Sequence, residues 1–116
     1  MKLRFTLNGV PVAATLHDNA ASKDLMKLLP LELTLEDYAS AEKIAYLPRK
    51  LDTAGAPAGF DPSAGDLAYY APWGNLAIFY RDQPFDRGLV SLGRIESGVE
   101  ALKAAGTSKV TIEAVK

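Results

Sequence analysis

The chain has no cysteine, one histidine and one tryptophan in 116 residues. The missing thiols exclude a disulfide framework, a thiolate metal site and a cysteine nucleophile together. A single histidine, His17, leaves no imidazole cluster for a metal, and no HExxH or EF-hand pattern appears. GxSxG, GxGxxG and P-loop strings are also absent, which removes the nucleophile elbow and the glycine-cradled nucleotide. Charge of one sign is lacking too: 13 Lys and Arg against 14 Asp and Glu leave a net charge of -1. No bulk electrostatic footprint for nucleic acid or an anionic membrane follows from that balance. No uncharged run approaches the roughly 18 apolar residues of a bilayer span. Lys2 and Arg4 interrupt the first apolar stretch, unlike a secretory leader. These absences imply a cytoplasmic protein with no cofactor, no metal, and no nucleic-acid or membrane partner.

What is present is an ordinary globular composition, 48% hydrophobic and 23% charged. At this length folding hides roughly two-thirds of the surface that the unfolded chain exposes. No repeat, low-complexity tract or linker divides the chain, so one domain over residues 1–116 is expected.

Apolar Leu3, Phe5 and Leu7 alternate with Lys2, Arg4 and Thr6, the period of a half-buried strand. Asn8-Gly9 then predicts a tight hairpin into a second strand through Val10, Val12, Ala14 and Leu16. From Asn19 the period lengthens: Ala21, Leu25, Leu28 and Leu29 form a helical stripe that Asp18 or Asn19 can cap and Pro30 ends. Strands are expected at 31–35, 43–47, 66–70, 75–80 and 89–95. Ser97 to Glu100 reads as a capping box opening a short helix that runs to Gly106, and Val110, Ile112 and Ala114 close the chain as a strand. Prolines and glycines between Pro48 and Gly65 make that stretch a long loop, a length that often carries function. Leu76 to Tyr80 is apolar on both faces, so it should be covered inside and out. Eight short strands and two helices, with no room for regular βαβ crossovers, favour a mainly antiparallel closed barrel capped by the helices.

His17 beside Asp18 invites an acid-base reading, but neighbours on a strand point to opposite faces, and a lone strand-end histidine reads as a surface or capping residue. Glu32, Glu36, Asp37 and Glu42 form the one dense acidic group, and a solvated polar face accounts for them. The remaining signal is aromatic: Phe60, Tyr69, Tyr70, Trp73, Phe79, Tyr80 and Phe85 crowd one part of the chain, with Arg49 across the long loop. Some of these rings must be core. Trp73, on the Ala71-Pro72-Trp73-Gly74 turn, either folds over the barrel end or lines a groove. An aromatic groove with a cationic donor suits an extended, proline-containing peptide.

Several strings resemble the cyclophilin fold. Leu89 to Leu102 is similar to the family's "V-x-G-x-V-x-x-G" strand and following helix, and Ser108 to Ile112 resembles the last barrel strand. Gly65-Asp66-Leu67-Ala68-Tyr69-Tyr70 with Pro72-Trp73-Gly74-Asn75 and Ile78-Phe79 looks like the small prokaryotic branch, which carries "G-D-[IL]-A-Y…P-x-G-N…I-F". The resemblance covers most of the chain and implies an eight-stranded β-barrel with two capping α-helices. The family's isomerases use an arginine in an "F-H-R" string, a phenylalanine and a glutamine, and a pocket with tryptophan and histidine. Here Arg49 stands in a comparable strand position between Pro48 and Lys50, and the other residues are not matched.

The functional expectation is a non-catalytic binding module for a peptide or small apolar ligand, held by Arg49, Phe60, Tyr70, Trp73, Phe79 and Phe85. In it Arg49 anchors a carbonyl or carboxylate. Two alternatives stand beside it: a degenerate peptidyl-prolyl cis-trans isomerase with Arg49 as the catalytic donor, and a homodimer or other interaction subunit that buries the Trp73 to Phe85 surface.

Overall fold

The computed structural model describes residues 1–104 and 106–115. Leu3, Phe5 and Leu7 are buried on one face of strand β1 (Lys2–Leu7), while Lys2 and Arg4 face solvent. Asn8 and Gly9 both take positive φ, 51° and 78°. That twist matches the twist of the flanking strands and returns the chain as β2 (Val10–Leu16). Helix α1 (Ala20–Leu28) starts where the Asn19 side chain accepts from Ser22 N at 2.9 Å, so Asn19 rather than Asp18 is the cap. Its Ala21 and Leu25 are buried in the main core, and the Ser22 hydroxyl donates to Leu92 O at 2.8 Å, tying the helix to the barrel.

Strands β3 (Leu31–Tyr38), β4 (Glu42–Tyr46), β5 (Asp66–Tyr70), β6 (Asn75–Phe79) and β7 (Leu89–Ile95) follow, then helix α2 (Val99–Ala104) and strand β8 (Ser108–Val115). The strands close in the order β1-β2-β7-β5-β6-β4-β3-β8, every neighbouring pair antiparallel, and β8 seals against β1 with Phe5 opposite Ile112. Closure leaves no open sheet edge. The inner faces supply one continuous core that includes Phe5, Leu35, Leu67, Tyr69, Leu76, Leu92 and Ile112. This is the mainly-β barrel with two helices that the alternation pattern implies.

The differences are local. β3 runs past Leu35 to Tyr38, and β4 starts at Glu42, because the chain reverses through Ala39 and Ser40 at φ 54° and 51°. No glycine or asparagine marks this turn, so sequence punctuation misses it. The α2 helix is preceded by Gly98, whose carbonyl accepts from Ala101 N and Leu102 N at 3.0 and 3.4 Å, in place of the expected Ser97 cap. The expected run to Gly106 passes through Ala105, which lies outside the described residues. Strands β4 and β6 each stop one residue short of the expected ends, at Tyr46 and Phe79.

A left-handed backbone at a non-glycine residue costs about 1–2 kcal/mol. Ala39→Gly should therefore stabilise the protein by about 0.5–1 kcal/mol, once the extra unfolded-state freedom of glycine is set against the relief. Urea unfolding of the two proteins measures it; an unchanged or lowered midpoint refutes the strain at this turn.

Candidate ligand site

Strand β6 is buried along its whole length. Leu76 and Ile78 face the barrel core, whereas Ala77 and Phe79 face outward and join Ile44, Ala68 and Leu89 in a second apolar cluster against which Phe60 and Tyr70 pack. Water is kept from this outer face by the chain's own connections. From one side comes the 48–65 loop, which bridges to the 81–88 connection through Phe60 N to Asp86 O and Asp86 N to Phe60 O, at 3.3 and 3.1 Å. From the other comes the β5–β6 turn, closed by Gly74 N donating to Tyr70 O at 2.9 Å.

Between the 81–88 connection and the β5–β6 turn lies a cavity of about 250 Å³ on the outer surface of β3, β4, β6 and β5. Trp73 stands edge-to-face with both Tyr38 and Tyr70, ring centroids 5.4 Å apart in each pair and planes at 84° and 87°. All three rings line the cavity, with Phe79 and Ile44 beneath and Phe85 on the outer rim. Perpendicular neighbouring rings make a corner, and such pairs add about 0.5–1.5 kcal/mol beyond the area they bury. Trp73 and Phe85 nonetheless remain 48% and 58% exposed. Gly88 keeps the Tyr70 wall in place, since a Cβ there would lie 2.6 Å from the Tyr70 ring and 2.9 Å from Pro72.

The charged groups of the cavity are acidic, and Gln83 and Asn75 add neutral amides. Glu42, opposite Phe79 in the β4–β6 register, is held partly buried, and burial, with the charge of Asp86 adding, pushes its carboxyl up to about 7. Asn75 is almost wholly buried; its Nδ2 donates to Leu76 O at 2.9 Å, and its Oδ1 has no donor. Asp86 lines the cavity from the 81–88 connection, its carboxylate accepting from Gly88 N at 2.8 Å. Among the described lining residues there is no Lys or Arg.

Of the residues expected to form a groove, the fold brings Tyr70, Trp73, Phe79 and Phe85 together here. Phe60 packs on the outer cluster but lines a neighbouring cavity with His17 and Ser91. Arg49 lines neither. Its guanidinium forks onto Asp24 of α1 at 2.7 and 2.8 Å and also donates to Lys50 O. That hydrogen bond, with a further one from Asp52 N, holds the Asp24 carboxyl well below the ordinary aspartate range. The pair ties the start of the 48–65 loop to α1, and Leu51 N donating to the Tyr69 hydroxyl at 3.1 Å ties it to the barrel core.

Sequence reasoning missed Tyr38, Glu42, Asn75 and Asp86. The expectation that Glu42 belongs to a solvated acidic face is corrected: it sits at the cavity wall, and Asp37, a neighbour in that group, pairs with the buried Lys43 at 3.0 Å and accepts from the Tyr80 hydroxyl at 2.9 Å. His17 has a partner no motif announces, with its Nε2 3.0 Å from the Ser91 hydroxyl. Asp18 is turned to Lys23. No group of three or more His, Asp or Glu among the described residues could hold a metal ion, and no described helix is long and apolar enough to cross a membrane.

A closed eight-stranded barrel with two helices is the architecture that the resemblance implied. The chain belongs to the cyclophilin-like family, whose model matches residues 5–113. Among solved structures, it is similar to the solution structure of a hypothetical protein from Archaeoglobus fulgidus, 19% identical, with a TM-score of 0.71 over 99% of this chain and 95% of that one. This likeness shows the fold. No curated protein matches the chain.

Two predictions follow from the charges. Asp24 ionises more readily folded than unfolded, so its contribution to stability is present above the ordinary value of 3.8 and is lost as the pH falls below it. Arg49→Met should lower the melting temperature by several degrees at neutral pH and flatten the fall in stability with acid; thermal melts from pH 7 to pH 2 read both, and an unchanged melting temperature would free Arg49 from this structural role. Glu42 behaves oppositely. Its folded value of about 7 lies above the ordinary 4.5, so the stability available below 4.5 drains as the pH rises through 7. Glu42→Gln should match the wild type at pH 4 and exceed it at pH 8, and equal stabilities at pH 8 would contradict the burial of this carboxyl.

Proposed function

We propose that this cyclophilin-like protein is a non-catalytic binding module whose ligand, a small molecule or a peptide side chain with an apolar body, seats in the cavity on the outer face of β6. One observation carries the reading: the three-ring corner of Tyr38, Trp73 and Tyr70 stays open to solvent above a buried apolar floor of Phe79 and Ile44. Large rings left half-exposed around a concavity are what ligand sites use for contact area, with few polar groups to set orientation. Isomerisation of a prolyl bond instead requires a donor free to meet the twisted amide. The Arg49 guanidinium is committed to Asp24, which favours binding over catalysis.

An NMR titration with a library of Xaa-Pro peptides, recorded with exchange spectroscopy, tests the reading. The Trp73 indole should shift without accelerated cis-trans exchange, and Trp73→Ala should weaken binding at least tenfold while lowering stability by about 1–3 kcal/mol, the loss of its two edge-to-face pairs, with the barrel still folded. Accelerated exchange that disappears in Arg49→Ala would make the protein an isomerase. A Trp73 signal that moves only with protein concentration, with a matching rise in sedimentation coefficient, would assign the exposed Trp73 and Phe85 to a homodimer contact.

A further inference from the structure

A cavity of this size falls below the roughly 300–1,000 Å³ of pockets that take a whole drug-sized ligand, so it suits a head group. Its walls are largely π-faces, and its charged groups are carboxyls alone, Glu42 and Asp86, beside the neutral Gln83 and Asn75 amides. Anions are disfavoured by Glu42 and Asp86, with no lining Lys or Arg to offset them. A neutral apolar group would leave the Glu42 and Asp86 carboxyls without a counter-charge. A cation meets both needs: aromatic faces attract positive charge within about 6 Å of the ring centroid, most strongly at tryptophan. A bare ammonium is strongly hydrated and gains little from such walls, whereas alkyl groups on nitrogen fit them. An N–H kept on the nitrogen adds a charge-assisted hydrogen bond to one of these carboxylates.

We propose that the cavity binds an N-alkylated ammonium group that retains one N–H, with the Tyr38, Trp73 and Tyr70 rings around its alkyl groups, and Glu42 and Asp86 as counter-charge and as acceptors for that N–H. This rests on the binding-module reading and names its ligand class. Binding is linked to protons through Glu42. The groups that face that carboxyl are Asp86 across the cavity, Tyr38 opposite it on β3, and the Tyr80 phenol beyond the end of β6, itself bonded to Asp37; Lys43, next on β4, is directed to Asp37. A fixed cation favours the ionised form, so affinity rises as the pH rises through about 7.

Trp73 is the one tryptophan in the sequence, so intrinsic fluorescence reports the site directly. The probes are N,N-dimethylethylammonium chloride, tetramethylammonium chloride, and 2-methylbutan-2-ol as a neutral analogue of similar shape. The dimethylethylammonium ion should saturate the Trp73 signal at least tenfold more tightly than the alcohol and at least threefold more tightly than tetramethylammonium. Its affinity should rise about tenfold from pH 6 to pH 8. Glu42→Gln should abolish that rise and lower cation affinity at least tenfold at pH 8 while leaving the alcohol unchanged, and Asp86→Asn should give a smaller loss of the same sign. A dimethyllysine peptide at least tenfold tighter than the free ion makes the head group peptide-borne; equal affinities assign a free amine. Equal binding of alcohol and cation, or a pH-independent cation affinity, overturns the ammonium assignment and leaves the binding module standing. Silence of Trp73 toward the three probes, when Xaa-Pro peptides do move it, has the same meaning; silence toward probes and peptides together overturns both.

Discussion

A closed barrel has one interior, yet β6 is apolar on both sides, and burial of its outward Ala77 and Phe79 governs the rest of the molecule's surface. Exposed apolar area on that face is unfavourable by about 25 cal/mol per Å², so the chain must supply its own cover. It does so with the two least regular stretches, the 48–65 loop and the 81–88 connection, joined to each other at Phe60 and Asp86. The space left between the 81–88 connection, the β5–β6 turn and the barrel is the cavity, which Tyr38, Trp73 and Tyr70 line.

Covering loops hold only if they are anchored, and the anchors lie away from the cavity. Arg49 grips Asp24, Asp52 N donates to the same carboxylate, and the Tyr69 hydroxyl reaches out of the core to Leu51 N. Asp24 in turn belongs to α1, which Ser22 fastens to β7. A charged side chain that looks functional in sequence is thereby the fastening of a loop. Bidentate guanidinium–carboxylate pairs are well suited to that task because they fix direction as well as distance.

The barrel was legible because each strand advertises its own burial: Leu3, Phe5 and Leu7, or Val110 and Ile112, need no knowledge of their partners to be read. Trp73 was legible as an exposed ring for a related reason, since a ring on a hairpin turn must lie near the surface. Glu42 was not. Its environment is set by pairing with Phe79 and by Asp86, both far along the chain, and in sequence it has the look of its solvated neighbours Glu32 and Glu36. The Ala39 and Ser40 turn, which places Tyr38 and Glu42 across from each other, carries none of the residues that usually announce positive φ. Arg49 was visible as a cation, but the identity of its partner depends on where α1 docks.

The turn that escapes notice is also the one that shapes the site. Tyr38 and Glu42 face each other only because β3 and β4 continue to the turn at Ala39 and Ser40, and Ala39 itself lines the cavity. Left-handed alanine and serine persist where the surroundings over-determine them. Here the surroundings are the Trp73 contact on Tyr38 and the hydrogen bond from Tyr80 N to Ala41 O at 3.0 Å. A relaxed turn with a different strand register would put the phenol and the carboxyl on other faces, because a one-residue slip inverts every side chain on a strand. The strained reversal, the raised Glu42 carboxyl and the unsatisfied Asn75 oxygen are three local costs gathered around one concavity, in a fold whose other elements follow their sequence preferences. Packing for stability alone would have no reason to gather these costs in one place, and their concentration is what supports the binding reading proposed for this cavity.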